Sequence, residues 1–369
     1  MVVLIETVLR RLPPPPPAGR TLRWAATLAL GSAGGWVASA AGLPLPWLLG
    51  ALLAVGAAAA GGLRLPGGPL AFPPAVREAC IPVIGVLIGG TFAPETLAGA
   101  ADWWPGLVSA ALYVPAALAL NFLLFRRVGG LSRPTAYFAA MPGGLIEAIE
   151  LGTEAGADPR PLTALQFIRV VLVVTAIPLI YSLIEGRAVG SAAGAGSGGP
   201  DAALGLLDAL ILLASGVVGY RIATRFKLPA GRIIGPIAAS AFVHATGLTD
   251  AAPPAMLVAA AQLVIGTSLG LRFVGMKPAE LRGWMRLSAL SVAAMLSLAV
   301  PFAAVPALLG AAPFGIMLLA LAPGGVVEMG LVALSLESSP ILVTLHHLAR
   351  ILVAVFVGAG GWRFVGRRG

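Results

Sequence analysis

The 369-residue sequence holds one cysteine, Cys80, and three histidines. A single thiol excludes an internal disulfide and any thiolate cage for zinc or an iron–sulfur cluster. Three imidazoles with one thiol also under-supply a copper or iron oxidation centre. Charge is scarce: 11% of residues are Asp, Glu, Lys or Arg, against about a quarter in a soluble domain. No polar stretch is long enough to fold as a DNA-binding module, so the net charge of +9 reads as loop arginines rather than a nucleic-acid surface. Neither a Gly-x-Ser-x-Gly elbow nor a P-loop is found. No catalytic residue, metal or cofactor is assigned, and the balance is against an enzyme. Met1–Arg20 lacks the order of a cleaved signal peptide, because Arg10-Arg11 follows its apolar run instead of preceding it. With five prolines behind that pair, the segment reads as a cytoplasmic tail containing a short polyproline stretch.

What the chain does have is apolar length. It is 58% hydrophobic with a mean hydropathy of +0.95. Runs of bilayer length recur from Leu22 to Val365, which predicts an all-α polytopic membrane protein. The 48 glycines and 31 prolines fit, since membrane helices tolerate both. Twelve apolar segments are read at 22–41, 45–62, 75–92, 103–125, 134–155, 161–185, 203–220, 230–247, 253–274, 284–309, 313–336 and 340–362. Gly-rich runs such as Gly31–Gly35 and Gly56–Gly62 read as small-residue packing faces. Between the sixth and seventh segments, Gly186–Asp201 has the composition of a flexible linker. The predicted organisation is a tail (1–20), a membrane repeat (21–186), a linker (187–201) and a second repeat (202–369).

The two halves match in sequence. Pro142-Gly143-Gly144-Leu-Ile-Glu147 returns as Pro323-Gly324-Gly325-Val-Val-Glu328, an offset of 181. In both copies an arginine follows the glutamate at the same spacing, Arg169 after Glu147 and Arg350 after Glu328. Leu43-Pro44 and Trp47–Gly50 recur as Leu228-Pro229 and Arg232–Gly235 at an offset of 185, and Val83-Ile84-Gly85 recurs as Val264-Ile265-Gly266 at 181. Loop charge then gives orientation. Arg64 and Arg77, and later Arg126, Arg127 and Arg133, stand in first-copy loops whose counterparts are nearly free of cations. Arg221, Arg225, Lys227 and Arg232, and later Arg272, Lys277, Arg282 and Arg286, do the opposite in the second copy. Lys and Arg of short loops stay cytoplasmic, so the copies are expected to lie in opposite orientations. That requires an odd number of crossings per copy: about five, plus one broken segment that does not cross. Both termini then fall inside, with Arg363, Arg367 and Arg368 at the C-terminal end, and the linker outside, with Arg187 alone on the unfavoured side.

The Pro-Gly-Gly stretches are the expected breaks, because proline removes a backbone donor and glycine weakens the preference for helix. On propensity alone, alanine at both glycines of the first break would gain about 1 kcal/mol per residue. Glu147 and Arg169 each lie about ten residues, roughly 15 Å of helix, from the turn between them, so both reach mid-depth; Glu328 and Arg350 repeat this around Ser338–Pro340. Ionisable groups at that depth are candidates for a solute or ion site. Each glutamate could equally cap its own half-helix, or pair structurally with its arginine. Proton or cation coupling through the glutamates is as open as anion binding at the half-helix N-termini. His347 aligns with Gln166 and lies one turn before Arg350, whereas His346 is rotated about 100° away, so the two would not chelate one metal. His244 reads as interfacial. The candidate binding residues are Pro142, Gly143, Gly144, Glu147, Arg169, Pro323, Gly324, Gly325, Glu328, His347 and Arg350.

The duplicated Pro-Gly-Gly-x-x-Glu, followed by His346-His347-Leu-Ala-Arg350, resembles the AbrB-type duplicated membrane proteins of bacteria, often labelled transcriptional regulators or ammonia monooxygenases. The similarity runs from about Thr21 to Val365, and the first copy departs from it at Leu165-Gln166, where histidines are missing. The residues favour an inner-membrane transporter or permease-like protein for a small solute or ion. A membrane sensor acting indirectly on gene expression, or less favourably an oxidase, are the alternatives. The expected partners are the lipid bilayer and the solute, with no direct nucleic acid; homo-oligomers are allowed.

Overall fold

The computed structural model describes residues 18–92, 100–186, 205–226, 228, 231–336 and 340–366. Residues 1–17 of the expected tail, the expected linker, Arg367 and Arg368 lie outside the described residues. The first half contains α1 (Ala18–Ala40), α2 (Pro46–Ala60), α3 (Pro74–Gly89), α4 (Trp104–Arg127), α5 (Arg133–Ala139), α6 (Leu145–Glu154) and α7 (Pro159–Glu185). The second contains α8 (Leu206–Arg225), α9 (Gly231–Ala245), α10 (Ala255–Gly270), α11 (Pro278–Leu308), α12 (Phe314–Leu321), α13 (Val326–Ser335) and α14 (Pro340–Val365). The only strands among the described residues are β1 (Arg64–Leu65) and β2 (Gly68–Pro69), an antiparallel pair in the loop after α2 that apolar patterning does not anticipate. Helix α1 begins at Ala18, so it takes in the last residues assigned to the tail.

Six helices, α4, α7, α8, α10 with its 3₁₀ extension to Phe273, α11 and α14, are long and apolar enough to cross a bilayer. Helices α2 and α9, of 15 residues, and α3, of 16, are shorter than their apolar segments. At 1.5 Å per residue they span about 23 Å, short of a hydrocarbon core of about 30 Å.

Both Pro-Gly-Gly segments are broken helices. The first interruption runs between Ala139 and Leu145, the second between Leu321 and Val326. In the first, α5 and α6 fold back on each other as a hairpin. A Cβ on Gly152 of α6 would sit 3.0 Å from Cβ of Phe138 on α5. Asp158 N–H, just past α6, donates to Thr135 Oγ1 at the start of α5 over 2.8 Å. The segment therefore returns to the end it entered from.

The helices gather into two bundles. In one, α1 packs on α2, α8 on α9, α2 on α10 and α9 on α3. Close approach here depends on missing side chains: a Cβ on Gly34 would collide with the Gly50 backbone, and one on Gly219 with that of Gly235. Gly85 and Gly89 of α3 seat on carbonyls of Ile233 and Ile237 of α9, while Gly266 and Gly270 of α10 seat on those of Leu48 and Leu52 of α2. In the other bundle, α4 crosses α11, α7 packs on α5, α6 and α11, and α14 packs on α4, α6, α12 and α13. Buried polar groups pin the α4–α11 crossing: Ser291 Oγ bonds Asn121 Oδ1 at 2.5 Å, and the hydroxyls of Ser109 and Tyr113 donate to the carbonyls of Phe302 and Met295. The bundles meet where α3 packs on α13 and α14, and Arg272 lies 4.5 Å over the ring of Phe167.

Candidate functional site at the two helix breaks

A helix that stops inside protein leaves its last carbonyls without partners. Pro142 has no N–H to offer Phe138 O, and Gln166 on α7 supplies a donor instead: its Nε2 bonds Phe138 O at 2.8 Å, with Ala139 O at 3.3 Å and Met141 O at 3.4 Å. Arg169, one turn further along α7, donates from Nη1 to Met141 O. At the second break Arg350 serves three carbonyls, of which Ala322 O is the counterpart of Met141 O and also accepts from Gly324 N–H at 2.8 Å. Arg350 Nη1 donates to Ala322 O and to Leu321 O at 3.3 Å, and its Nη2 to Gly324 O at 2.9 Å. The negative end of each first half-helix thus meets a guanidinium. Both arginines are buried, Arg169 at 5% and Arg350 at 1% exposure.

The difference between the halves comes from one aligned position, Gln166 against His347. The amide nitrogen of Gln166 can donate sideways to the break. His347 instead donates from Nδ1 to Val343 O of its own helix, 3.0 Å away. The far side of its buried ring meets the carbonyl of Ala322 at the second break. His346 likewise donates from Nδ1 to Leu342 O at 2.7 Å, with Nε2 buried and unpartnered beside Gly106. The adjacent imidazoles are thereby committed separately, and the described residues hold no cluster of three His, Cys, Asp or Glu side chains.

Neither glutamate is ion-paired with its arginine. The ion pairs among the described residues are Arg160–Glu280 at 3.1 Å and Arg232–Glu78 at 2.6 Å. Each glutamate of the two motifs turns back on the first turn of its own half-helix. A Cβ on Gly144 would lie 3.2 Å from Glu147 Oε2, and one on Gly325 would collide with Glu328 Oε2. Glu328 accepts from its own backbone N–H. Each carboxylate thus lies beside the first turn of its own half-helix, while the arginines are engaged with the carbonyls of the breaks. Glu328 is buried, whereas Glu147 is half-exposed.

The two breaks meet on α14. A Cβ on Gly143 would touch Ile351 Cα at 3.3 Å, Ala354 Cβ at 3.4 Å and Arg350 O at 3.6 Å, so the first break rests on the backbone of the residue whose side chain holds the second. Gly144 faces Val355, Gly358 faces Met141, and Tyr137 Oη donates to Val357 O at 3.2 Å. The two guanidinium groups lie within range of each other's charge and of the buried Tyr113 hydroxyl on α4. All eleven residues read from the sequence therefore belong to the two breaks or to the helices that close them. Gln166 and Tyr113 were missed. Gln166 had a legible signal, as the polar counterpart of His347 one turn before an intramembrane arginine; Tyr113 had none. A groove of about 650 Å³ between α3, α8 and α10, with Glu78, Tyr220 and Arg221 among its walls, lies apart from the breaks.

A family model described as "Transition state regulatory protein AbrB" matches residues 55–366. The chain is 24% identical over 285 residues to the "Putative regulator AbrB" of Escherichia coli (strain K12), covering 77% of this chain and 80% of that protein. It is 24% identical over 351 residues to the "Uncharacterized protein YhjN" of Bacillus subtilis (strain 168), with 89% of each covered.

Proposed function

This chain belongs to the AbrB family, and we propose that it is a permease-like inner-membrane protein moving a small solute or ion through a site at its two helix breaks. The observation that carries the reading is the convergence on Arg350, whose backbone carbonyl lies against Gly143 while its guanidinium holds Ala322 O and Gly324 O. Broken helices inside hydrocarbon are costly unless they are buried in protein or line a water-filled cavity. Where two of them face each other near mid-depth, polar backbone is available to a solute from both.

The same reading takes the halves as inverted repeats, and the packing supports a duplication. Gly34 and Gly50 are matched by Gly219 and Gly235, each at the offset of 185. Seats are exchanged between halves: Gly85 lies on Ile233 and Gly266 on Leu48, Gly89 on Ile237 and Gly270 on Leu52. The opposed orientation rests on loop charge, and contacts between loops agree with it. Arg160–Glu280 and Arg232–Glu78 each join ends assigned to the cytoplasmic side, and Thr249–Asp208, at 2.7 Å, joins two assigned outside. Exposed leucines along α8, such as Leu206, Leu210 and Leu213, suit a lipid-facing surface.

The test is flux. Full-length protein in proteoliposomes should give solute-dependent charge movement or counterflow with some member of a panel of small ions, amines and organic acids. The signal should fall at least tenfold in Glu328→Gln while the protein remains folded. Flux equal to empty liposomes for every member would overturn the reading. A regulatory reading is favoured by the name of the Escherichia coli relative. It predicts that deleting residues 1–17 changes gene expression in cells and leaves liposome behaviour untouched.

A further inference from the structure

We infer that the solute is a small oxyanion that also carries a hydrogen-bond donor, a hydroxycarboxylate being the simplest example, held between Arg169 and Arg350; this rests on the transport reading above. Unmatched donors and an unmatched acceptor point to it. Nε of Arg169 and Nε of Arg350 are buried with no partner. A guanidinium has donors only, so nothing but an acceptor can satisfy them. Both arginines carry positive charge within range of each other, and among the described residues neither has a carboxylate within ion-pair distance. Glu147 and Glu328 are turned away onto their own helices. Two buried cations that repel, each with an idle N–H, are stabilised by a species with negative charge spread over several oxygens. Backbone carbonyls alone offset only part of each charge, since a helix end contributes about half an elementary charge.

The acceptor left over beside Arg169 is equally specific. Gln166 Nε2 faces three carbonyls, which can only accept, so its amide orientation is fixed and Oε1 is the free end; that oxygen is buried without a partner. His347, one turn before Arg350, meets carbonyls at both ring nitrogens, Val343 O and Ala322 O, and adds no free acceptor. Arg169 therefore has beside it a buried acceptor, and a bare anion such as chloride or acetate leaves it unsatisfied. A hydroxyl on the anion supplies the missing donor. Selectivity on this basis is strong, because an analogue without the hydroxyl strands a buried polar group.

The experiment follows thermal unfolding of the full-length protein in detergent against sodium glycolate, sodium acetate, sodium chloride and ammonium chloride. It uses wild type, Arg169→Lys, Arg350→Lys and, as a control for general salt effects, the exposed Arg225→Lys. Glycolate should raise the wild-type and Arg225→Lys midpoints saturably, at concentrations at least tenfold below those acetate needs. Its apparent affinity should fall at least tenfold in each of the other two variants. Should those variants fail to fold, retention of radiolabelled glycolate by wild type decides the matter: unlabelled glycolate must displace it better than acetate does, and ammonium must not. Equal responses to acetate and glycolate overturn the donor requirement. Stabilisation by ammonium alone, or no saturable response to either carboxylate, overturns the anion site and leaves the transport reading standing. Saturable glycolate binding without flux in liposomes overturns transport and leaves the anion site.

Discussion

Residue by residue, the two halves use different chemistry to the same end. Copy one divides the carbonyls at the end of α5 between Gln166 and Arg169, while in copy two Arg350 takes those after α12, with Gly324 N–H also bonding Ala322 O. Gln166→Leu should therefore leave Phe138 O with only the long 3.4 Å bond from Met141 N–H, at a cost of about 1 kcal/mol, read as a lowered thermal midpoint. His347→Leu removes only a contact to Ala322 O, which Arg350 and Gly324 N–H also serve, and should cost less by that mechanism. A larger loss from His347→Leu than from Gln166→Leu would contradict this division of labour. The glutamates differ as well. Glu328 is 6% exposed and folded against Gly325, so Glu328→Gln should keep the shape of the side chain, leave stability within about 1 kcal/mol and act on flux. Glu147→Gln, at a half-exposed position, should affect flux less.

Among the elements, the Pro-Gly-Gly breaks are alike in sequence and unlike in backbone. Gly144 has φ +67°, which a side chain rarely adopts, and a Cβ there would press on Val355. Gly325 has φ −82°, open to any residue, and its obstruction is the flexible end of Glu328. Helix propensity alone credits alanine at the first break with added stability; the left-handed φ and the contact with α14 reverse the sign. Gly144→Ala should destabilise by about 1–2 kcal/mol from backbone strain before any clash is counted. Gly325→Ala should keep stability and displace the Glu328 carboxylate, with flux as the sensitive readout. Thermal unfolding of the two single variants side by side checks this, and equal losses would show that the breaks share one geometry after all.

Across the molecule, the two bundles touch unequally. Helix α3 packs on α13 and α14, with Ile88 against Gly330, whereas α10 has no contact of that extent with α6 or α7 among the described residues. If the halves are inverted repeats, exchanging their conformations gives a second state in which α10 closes on α6 and α3 lets go. In a Cys80→Ala background, an oxidised Ile88→Cys/Gly330→Cys pair should cross-link readily and abolish flux. The corresponding pair at the offset of 181, Leu269→Cys/Ile149→Cys, should cross-link more slowly and be suppressed when the first is locked. Full flux in the locked first pair would refute rocking of one bundle on the other.

The class of molecule, the order of its helices and the positions of both breaks were all legible in the chain before folding. They are properties of local composition: apolar length, proline without a donor, paired glycines, and a motif repeated at a fixed offset. One depth for Glu147, Arg169, Glu328 and Arg350 is an expectation from rise per residue along the chain. Which of them meet was a different matter. An arginine at mid-depth can answer a carboxylate or a helix end, and spacing along the chain allows both. Packing brought α5 and α12 to offer their last carbonyls to α7 and α14, which drew the guanidinium groups away from the glutamates. Tyr113 joined the site through the crossing of α4 and α11, by a contact with Met295 that no local pattern encodes. The unequal closure of the two bundles is likewise decided by packing, since two matching sequences carry no information about which half is shut.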